Sequence, residues 1–131
     1  MEKKNNSNIK FMLAKVSSLQ FAIMDECFTE GEQVNFSVGL ESRSEKENRI
    51  FTVSAKIRFE QKNKIFLILE LACLFVIEPD NWKAMTQADG RVVLPKGFVA
   101  HMSALTVSTA RGVIHAKTEN TKYNQYFLPT V

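Results

Sequence analysis

The alternation of apolar and polar residues predicts that the first part of the chain is built from strands. Residues 34–41 and 51–60 carry apolar side chains at every second position, which is typical of strands with one buried face and one wet face. Residues 10–29 alternate imperfectly, which predicts one long first strand with a bulge. Gly31 and Asn63 tolerate positive φ and mark turns between these strands.

The fourth predicted strand, residues 65–77, is apolar on both faces. Such a strand is expected to be covered on both sides. Its neighbour at 51–60 has a polar second face, so the second face of the fourth strand must meet something else. The pattern therefore indicates a second subunit or a bound chain at this surface.

Apolar residues three or four positions apart predict one long helix that begins near Leu94-Pro95 and ends near residue 112. Pro95 suits the first turn of a helix, where its missing N–H does no harm. After the helix, Tyr123 and Tyr126 lie in a segment too aromatic to stay in solvent, so we expect this segment to pack back on the domain. The predicted fold class is α+β: a four-stranded antiparallel meander with one long C-terminal helix packed across the sheet. The connections are too short for the crossovers that parallel strands need.

Length and composition fit one globular domain. The chain has 131 residues, of which 45% are hydrophobic and 24% charged. We expect residues 9–131 to form a single domain and the polar residues 1–8 to be disordered. The sequence shows neither a signal-peptide pattern nor an apolar run long enough to span a membrane. It therefore predicts a cytoplasmic protein without membrane insertion.

The net charge of +3 is weak evidence for a nucleic-acid partner, because basic and acidic residues are interleaved. The basic residues that such a site would use are Lys3, Lys4, Arg43, Lys46, Arg49, Lys56 and Arg58. Glu45, Glu47 and Glu60 interrupt this set. No nucleic-acid partner is therefore expected.

The residues that could carry chemistry are few and isolated. His101 and His115 would lie about 21 Å apart on one helix, at 1.5 Å per residue, so they cannot share a metal ion. Cys27 and Cys73 have no second ligand at metal spacing and are expected to be reduced core thiols. No catalytic triad and no phosphate-binding loop can be recognised. We therefore predict no catalytic residue, no metal and no cofactor in a protein that is not an enzyme.

One alternative of a different class stays open. A small-ligand enzyme or carrier could enclose a pocket between the helix and the sheet, with His101 as its titratable centre. A closed, buried cavity around His101 in a monomer would favour this hypothesis.

A set of motifs follows in a fixed order along the chain: residues 52–56 and 72–77, Leu94-Pro95 with residues 108–112, and residues 127–131, the Phe-Leu-Pro-Thr-Val segment. Together these motifs resemble the SecB-like protein-export chaperone family. The similarity extends from about residue 17 to the end of the chain. The order and spacing of these motifs carry the resemblance, because no single one of them is specific.

The resemblance implies a cofactor-free chaperone, or holdase, that binds unfolded or preprotein polypeptide in apolar grooves. It also implies a homo-oligomer, a dimer of dimers (a homotetramer) with the long helices between the subunit sheets. The side chains assigned by analogy to the peptide-binding groove are Phe75, Trp82, Met85, Met102 and Leu105. Those assigned to the oligomer interface are Val99, Thr106 and Val113. Methionines and aromatic residues suit a surface that repacks around different clients.

The chain departs from the export chaperones in two respects. Those proteins have a further helix after the segment that matches 127–131, whereas this chain stops at Val131, so it is expected to be a short variant without the second C-terminal helix. They are acidic and use an acidic sheet surface to dock the SecA translocation motor, whereas this chain is mildly basic, which speaks against SecA docking. Relatives of the family also serve as chaperones for antitoxins in toxin-antitoxin systems. A link to protein export and an antitoxin client both stay open.

Overall fold

The computed structural model describes residues 9–126, which form one antiparallel sheet, two helices and two short 3-10 turns. The strands are β1 (Phe11–Ile23), β2 (Asn35–Glu45), β3 (Ile50–Gln61) and β4 (Lys64–Ile77). The helices are α1 (Pro79–Ala84) and α2 (Lys96–Thr118), and the 3-10 turns are Asp25–Cys27 and Lys122–Gln125. The predicted α+β class, a four-stranded antiparallel sheet with one long C-terminal helix, is confirmed. The predictions for residues 1–8 and 127–131 lie outside the described residues.

The strands lie in the order β1-β4-β3-β2. The predicted meander is therefore correct for β2, β3 and β4 but wrong for β1, which pairs with β4 instead of β2. The doubly apolar β4 thus lies inside the sheet, where it has a neighbour on each side. Alternation along a strand defines its two faces but carries no information about which strand lies beside it, and this is why the order of the strands was not predictable.

β1 contains the irregularity that its pattern predicts. Its register with β4 shifts between Leu13 and Lys15 and again between Ser18 and Gln20. Each shift is a β-bulge, which bends the strand locally. The strand ends at Ile23 instead of continuing to residue 29, because the chain then enters the first 3-10 turn.

Residues in the left-handed region form the tight turns. At the β3–β4 hairpin, Lys62 and Asn63 have φ values of 49° and 66°, as predicted for Asn63. Gly31, in the link between β1 and β2, has a φ of 85°, which only glycine adopts without strain. Between β2 and β3, Arg49 has a φ of 54° and donates from Nε to the carbonyl oxygen of Ile77 at 2.9 Å. These positions therefore lie in the three connections between consecutive strands.

The core lies between α2 and one side of the sheet, which we call the helix face. On this face β3 and β4 present fully buried side chains such as Val53, Ile57 and Leu69. α2 contributes Phe98 and Met102, which are also buried. Burial alternates strictly along β3, so its predicted apolar and polar faces are confirmed. Burial of these aliphatic and aromatic side chains is the main source of stability, at about 1.5–3 kcal/mol for each large one.

The opposite side of the sheet, which we call the far face, is polar along β3 and apolar along β4. β4 presents Ile68, Leu74 and Val76 there, and all three are half-buried. On the same far face, Lys56 of β3 lies opposite Glu70 of β4. The prediction that a second subunit or another chain covers the apolar part of this face stays a prediction.

Two side chains from elsewhere in the chain hold the link between β1 and β2. Gln61 is buried, donates from Nε2 to the carbonyl oxygen of Thr29 at 2.9 Å, and accepts from the N–H of Thr29 at 2.9 Å. Tyr123 donates its hydroxyl hydrogen to the carboxylate of Asp25. The segment after α2 therefore packs back on the domain, as its aromatic residues predict.

Candidate functional site

The side chains assigned by resemblance to a peptide-binding groove lie mostly in the core. Phe75 and Met102 have 0% of their surface exposed, and Trp82 and Met85 have 8%. Leu105 is half-buried and packs against the same core. A client can contact only accessible side chains, so the first four residues do not line an open groove in the described chain. The apolar residues three or four positions apart on α2 mark the face of the helix that packs on the sheet of its own chain. Residues chosen from this face are therefore buried.

The proposed interface residues also lie on or near the core. Thr106 is fully buried, and its hydroxyl donates to the carbonyl oxygen of Met102 at 2.9 Å. Val99 and Val113 are half-buried and pack against the core. Thr106 therefore has no accessible surface to offer to a second copy, whereas the assignment of Val99 and Val113 stays a prediction.

The accessible apolar groove lies elsewhere, between α2 and the edge strand β2. α2 packs on β3 and β4, in the middle of the sheet. A helix is about 10 Å wide and strands are about 4.8 Å apart, so one helix covers roughly two strands. The helix face of β2 is consequently left open. The cavity there has a volume of about 440 Å³ and is lined by Val38, Leu40, Ala100, Ser103, Ala104, Val107, Ser108 and Arg111.

β2 supplies one wall of this groove. Phe36, Val38 and Leu40 lie on the helix face, directly opposite Phe59, Ile57 and Ala55 of β3. They are 40%, 40% and 45% exposed. The sequence predicts that this side of the strand is buried, and the structure corrects that prediction, because no part of α2 extends far enough to cover it.

Small side chains of α2 supply the other wall. Ala100, Ser103, Ala104 and Ser108 fall three or four positions apart and therefore share one side of the helix. Their short side chains leave room between the helix and β2, whereas leucines at these positions would fill it. This run of small residues beside the predicted apolar stripe was the signal in the sequence that could have located the groove.

The backbone of β2 is available along its outer edge. All eleven residues of β2 are exposed, and all eleven pair with β3 without a register shift. Among the described residues, no strand pairs with the other side of β2, since it ends the sheet. A regular edge of this kind presents a row of N–H and C=O groups that can pair with another chain.

β1, at the opposite edge, carries a second set of exposed apolar side chains. They are Met12, Leu13, Val16 and Leu19. Unlike β2, this strand is interrupted by two bulges, which disfavour continuous pairing with a further strand. The two edges of the sheet therefore differ in regularity although both are apolar.

The histidines and cysteines of the sequence all lie within the described residues. His101 is exposed and lies beside the ring of Phe11, with 6.0 Å between ring centroids, so no closed cavity surrounds it. His115 is exposed and lies 3.6 Å from the carboxylate of Glu119. Cys73 is buried and Cys27 half-buried, and both are free thiols. Within residues 9–126, three metal-ligating side chains nowhere come together, and neither helix is long and apolar enough to cross a membrane.

The sheet order, the long helix and the open groove define the class of this domain. No protein-family model and no curated protein matches the chain. Among solved structures, it is similar to the Mycobacterium tuberculosis Rv1957 SecB-like chaperone, solved in complex with a ChAD peptide from the Rv1956 HigA1 antitoxin. The TM-score is 0.57 at 12% identity, over 92% of this chain and 87% of that chain. The chain therefore has a SecB-like fold, as the resemblance in its sequence implies.

A second solved structure is a protein of unknown function from Streptococcus agalactiae. It matches with a TM-score of 0.46 at 13% identity, over 94% of this chain and 97% of that chain.

Proposed function

We propose that the protein is a cofactor-free chaperone that binds unfolded polypeptide in the groove between α2 and β2, as a homo-oligomer in the cytoplasm. The observation that carries this proposal is the open apolar groove beside an unpaired strand edge. The SecB-like fold supports it, because a protein of the same fold is described as a chaperone and was solved with a bound peptide. Preproteins are one class of such client.

The composition of the groove favours polypeptide over a small ligand. Small-ligand sites are mostly enclosed and hold a few converging polar groups that fix the orientation of the ligand. This groove is open to solvent at its β2 wall, where Val38 and Leu40 are exposed, and it is lined mainly by aliphatic and other small side chains, with Arg111 as its one charged lining residue. An apolar trough without a fixed polar pattern suits clients that share only their exposed apolar residues.

An antitoxin is a second candidate client. The specific observation in its favour is the ChAD peptide of the HigA1 antitoxin in the complex with Rv1957. The same groove would bind such a segment, so the two candidates differ in the range of clients and not in the site. Binding of one antitoxin segment at least tenfold more tightly than unrelated unfolded chains would favour the antitoxin role.

The homo-oligomer in this proposal is supported by the exposed apolar residues of β1. Leu13 and Val16 lie on the helix face, opposite Phe75 and Cys73 of β4, where α2 leaves them exposed. A second copy that covers this edge would remove their apolar surface from water. Light scattering coupled to size exclusion measures the mass in solution, and a stable monomer at micromolar concentration would exclude the oligomer.

The chaperone activity is tested by light scattering of a chemically denatured client diluted into buffer. We expect stoichiometric amounts of the protein to suppress aggregation, without nucleotide or metal. The Val38→Lys and Leu40→Lys variants place charges in the groove and are expected to suppress aggregation much less. Val93→Lys is the matched control, because Val93 is 48% exposed and lies outside the groove. Failure of the unaltered protein to suppress aggregation at stoichiometric amounts would refute the proposed function.

A further inference from the structure

We propose that the outer edge of β2 accepts an extended segment of the client as a fifth strand of the sheet. Alternate side chains of that segment would enter the groove beneath α2. This inference rests on the proposed function and specifies how the same site recognises a client. The client segment is amphipathic, with alternating apolar and polar residues, and it binds through its backbone as well as its side chains.

The first argument is the regularity of the edge. β2 pairs with β3 from Asn35–Glu60 to Glu45–Ile50 with no shift, so its outward N–H and C=O groups follow an undistorted strand repeat. Every residue of β2 is exposed. Folded proteins commonly blunt such an edge with bulges, proline or lysine, and β2 contains none of these. β1 carries two bulges, and Lys15 lies between them.

The second argument is the spacing of side chains on the helix face. Phe36, Val38 and Leu40 recur at every second residue, about 6.7 Å apart along the strand. A strand added to β2 would lie about 4.8 Å farther out, with its own alternate side chains on the same face. Those side chains would pack beside the row on β2 and against the exposed Ala100 and Ala104 of α2. The bound segment must therefore be apolar at alternate positions.

The third argument is the polarity of the other face of β2. Its far-face residues are Asn35, Ser37, Gly39, Glu41, Arg43 and Glu45. A second, polar cavity of about 290 Å³ lies on this side and includes Lys56 and Arg58 in its lining. Glu41 and Arg43 are two residues apart and carry opposite charges. The intervening positions of a bound segment must therefore be polar, and a basic residue opposite Glu41 with an acidic residue opposite Arg43 would complement β2.

A second copy of the chain fits this edge less well than a client does. In a two-fold antiparallel β2 pair that uses the whole strand, Leu40 would meet its own copy, but Phe36 would lie opposite Ser44, and Val38 opposite Ser42. Phe36, Val38 and Leu40 all meet one another across the pair only in a register that pairs residues 35–41 and leaves 42–45 outside. An unfolded client can choose its register freely, because its apolar positions are not fixed by symmetry.

Backbone methylation tests the inference directly. The probe is a fluorescent nine-residue peptide that alternates leucine or valine with serine, lysine and glutamate, and its binding is measured by anisotropy. In two matched peptides, N-methyl groups block the N–H groups of either the odd or the even residues. Only one edge of an added strand faces β2, so we expect one methylated peptide to lose at least tenfold in affinity and the other less than twofold. Equal effects of the two sets, or no effect of either, would overturn the inference.

Substitutions in the protein separate this inference from the proposed function. Val38→Lys and Leu40→Lys are expected to weaken binding of the unmethylated peptide at least tenfold, whereas Val93→Lys leaves it unchanged. If the unaltered protein suppresses client aggregation but does not bind the alternating peptide, the chaperone function stands and strand addition is wrong. If Leu40→Lys lowers the mass in solution, the β2 edge is an interface between copies, and strand addition by a client is also wrong.

Discussion

The hydroxyl of Tyr123 donates a hydrogen bond to the carboxylate of Asp25, 98 positions earlier in the chain. The contact joins the segment after α2 to the link between β1 and β2. The ring of Tyr123 also packs on Phe28 and Phe66, with 5.1 Å and 5.8 Å between ring centroids. Tyr123 is therefore anchored to the start of the connection that leads from β1, at one edge of the described sheet, to β2 at the other edge.

Tyr123→Phe removes the hydroxyl and keeps the ring. We expect it to lower the free energy of unfolding by about 1 kcal/mol, which is typical of a hydrogen bond on a partly exposed partner. Urea denaturation followed by circular dichroism measures the change. Tyr126→Phe is the matched control, because the hydroxyl of Tyr126 takes no part in the bond to Asp25. An equal loss in both variants would show that the Asp25 contact does not contribute.

The same tyrosine predicts a loss of stability at alkaline pH. Burial, together with the hydrogen bond to Asp25 and its charge, raises the pKa of Tyr123 from 10.0 to about 12. The folded state then keeps this proton where the unfolded state loses it, so the stabilisation is complete below pH 10 and disappears as the pH rises to about 12. The Tyr123→Phe variant has no hydroxyl at this position, so its stability should lack this pH-dependent contribution. The difference in unfolding free energy between the two proteins should therefore shrink between pH 9 and pH 12, and a constant difference would contradict the prediction.

Gln61 anchors the other end of the link between β1 and β2. Its amide bonds to both the N–H and the carbonyl group of Thr29, and Nε2 also lies 3.3 Å from the carbonyl oxygen of Glu32. Gln61→Ala leaves these backbone groups without their partner, at a cost of about 1–3 kcal/mol. Gln33→Ala, at an exposed position, should change stability by less than about 0.5 kcal/mol. Urea denaturation distinguishes the two variants, and similar values would contradict the anchoring role of Gln61.

Substitutions of Met102 and Leu40 distinguish a core residue from a groove residue. Met102 is fully buried, so Met102→Ala should cost about 2–5 kcal/mol through lost packing and the cavity that remains. Leu40 is 45% exposed, so Leu40→Lys should change stability by less than about 0.5 kcal/mol while it weakens client binding. Denaturation and aggregation assays on both variants check this. If Met102→Ala impaired client binding without loss of stability, Met102 would belong to the client site after all.

Local patterns in the sequence predict much of the fold. The alternation at 51–60 and 65–77, with Asn63 between them, identifies the β3–β4 hairpin and the buried face of β3. The helical spacing after Pro95 identifies α2, although the helix continues to Thr118, several residues past the predicted end. Gly112 did not end it, because a glycine within a helix costs only about 1 kcal/mol, which the packing of Ile114 offsets. These features were predictable because they depend on residues close together in the chain.

The groove was not predictable in the same way. Met102 and Val38 are both apolar residues on amphipathic elements, and nothing in the local pattern distinguishes the one that is buried from the one that stays exposed. Their difference arises from the position of α2 over the sheet. The resemblance in the sequence pointed to the correct fold, but four of the five residues carried over by analogy to a groove are buried in the core.

The sequence by itself determined the four strands, the long helix, their amphipathic faces and the fold class, because these follow from the 2.0 and 3.6 residue periods of strand and helix. Only the tertiary structure decided that β1 lies beside β4 and that β2 forms an uncovered edge. The physical reason is geometric: a single helix about 10 Å wide cannot cover four strands spaced about 4.8 Å apart. The apolar residues of the outer strands therefore stay accessible, and it is there that we propose the client binds.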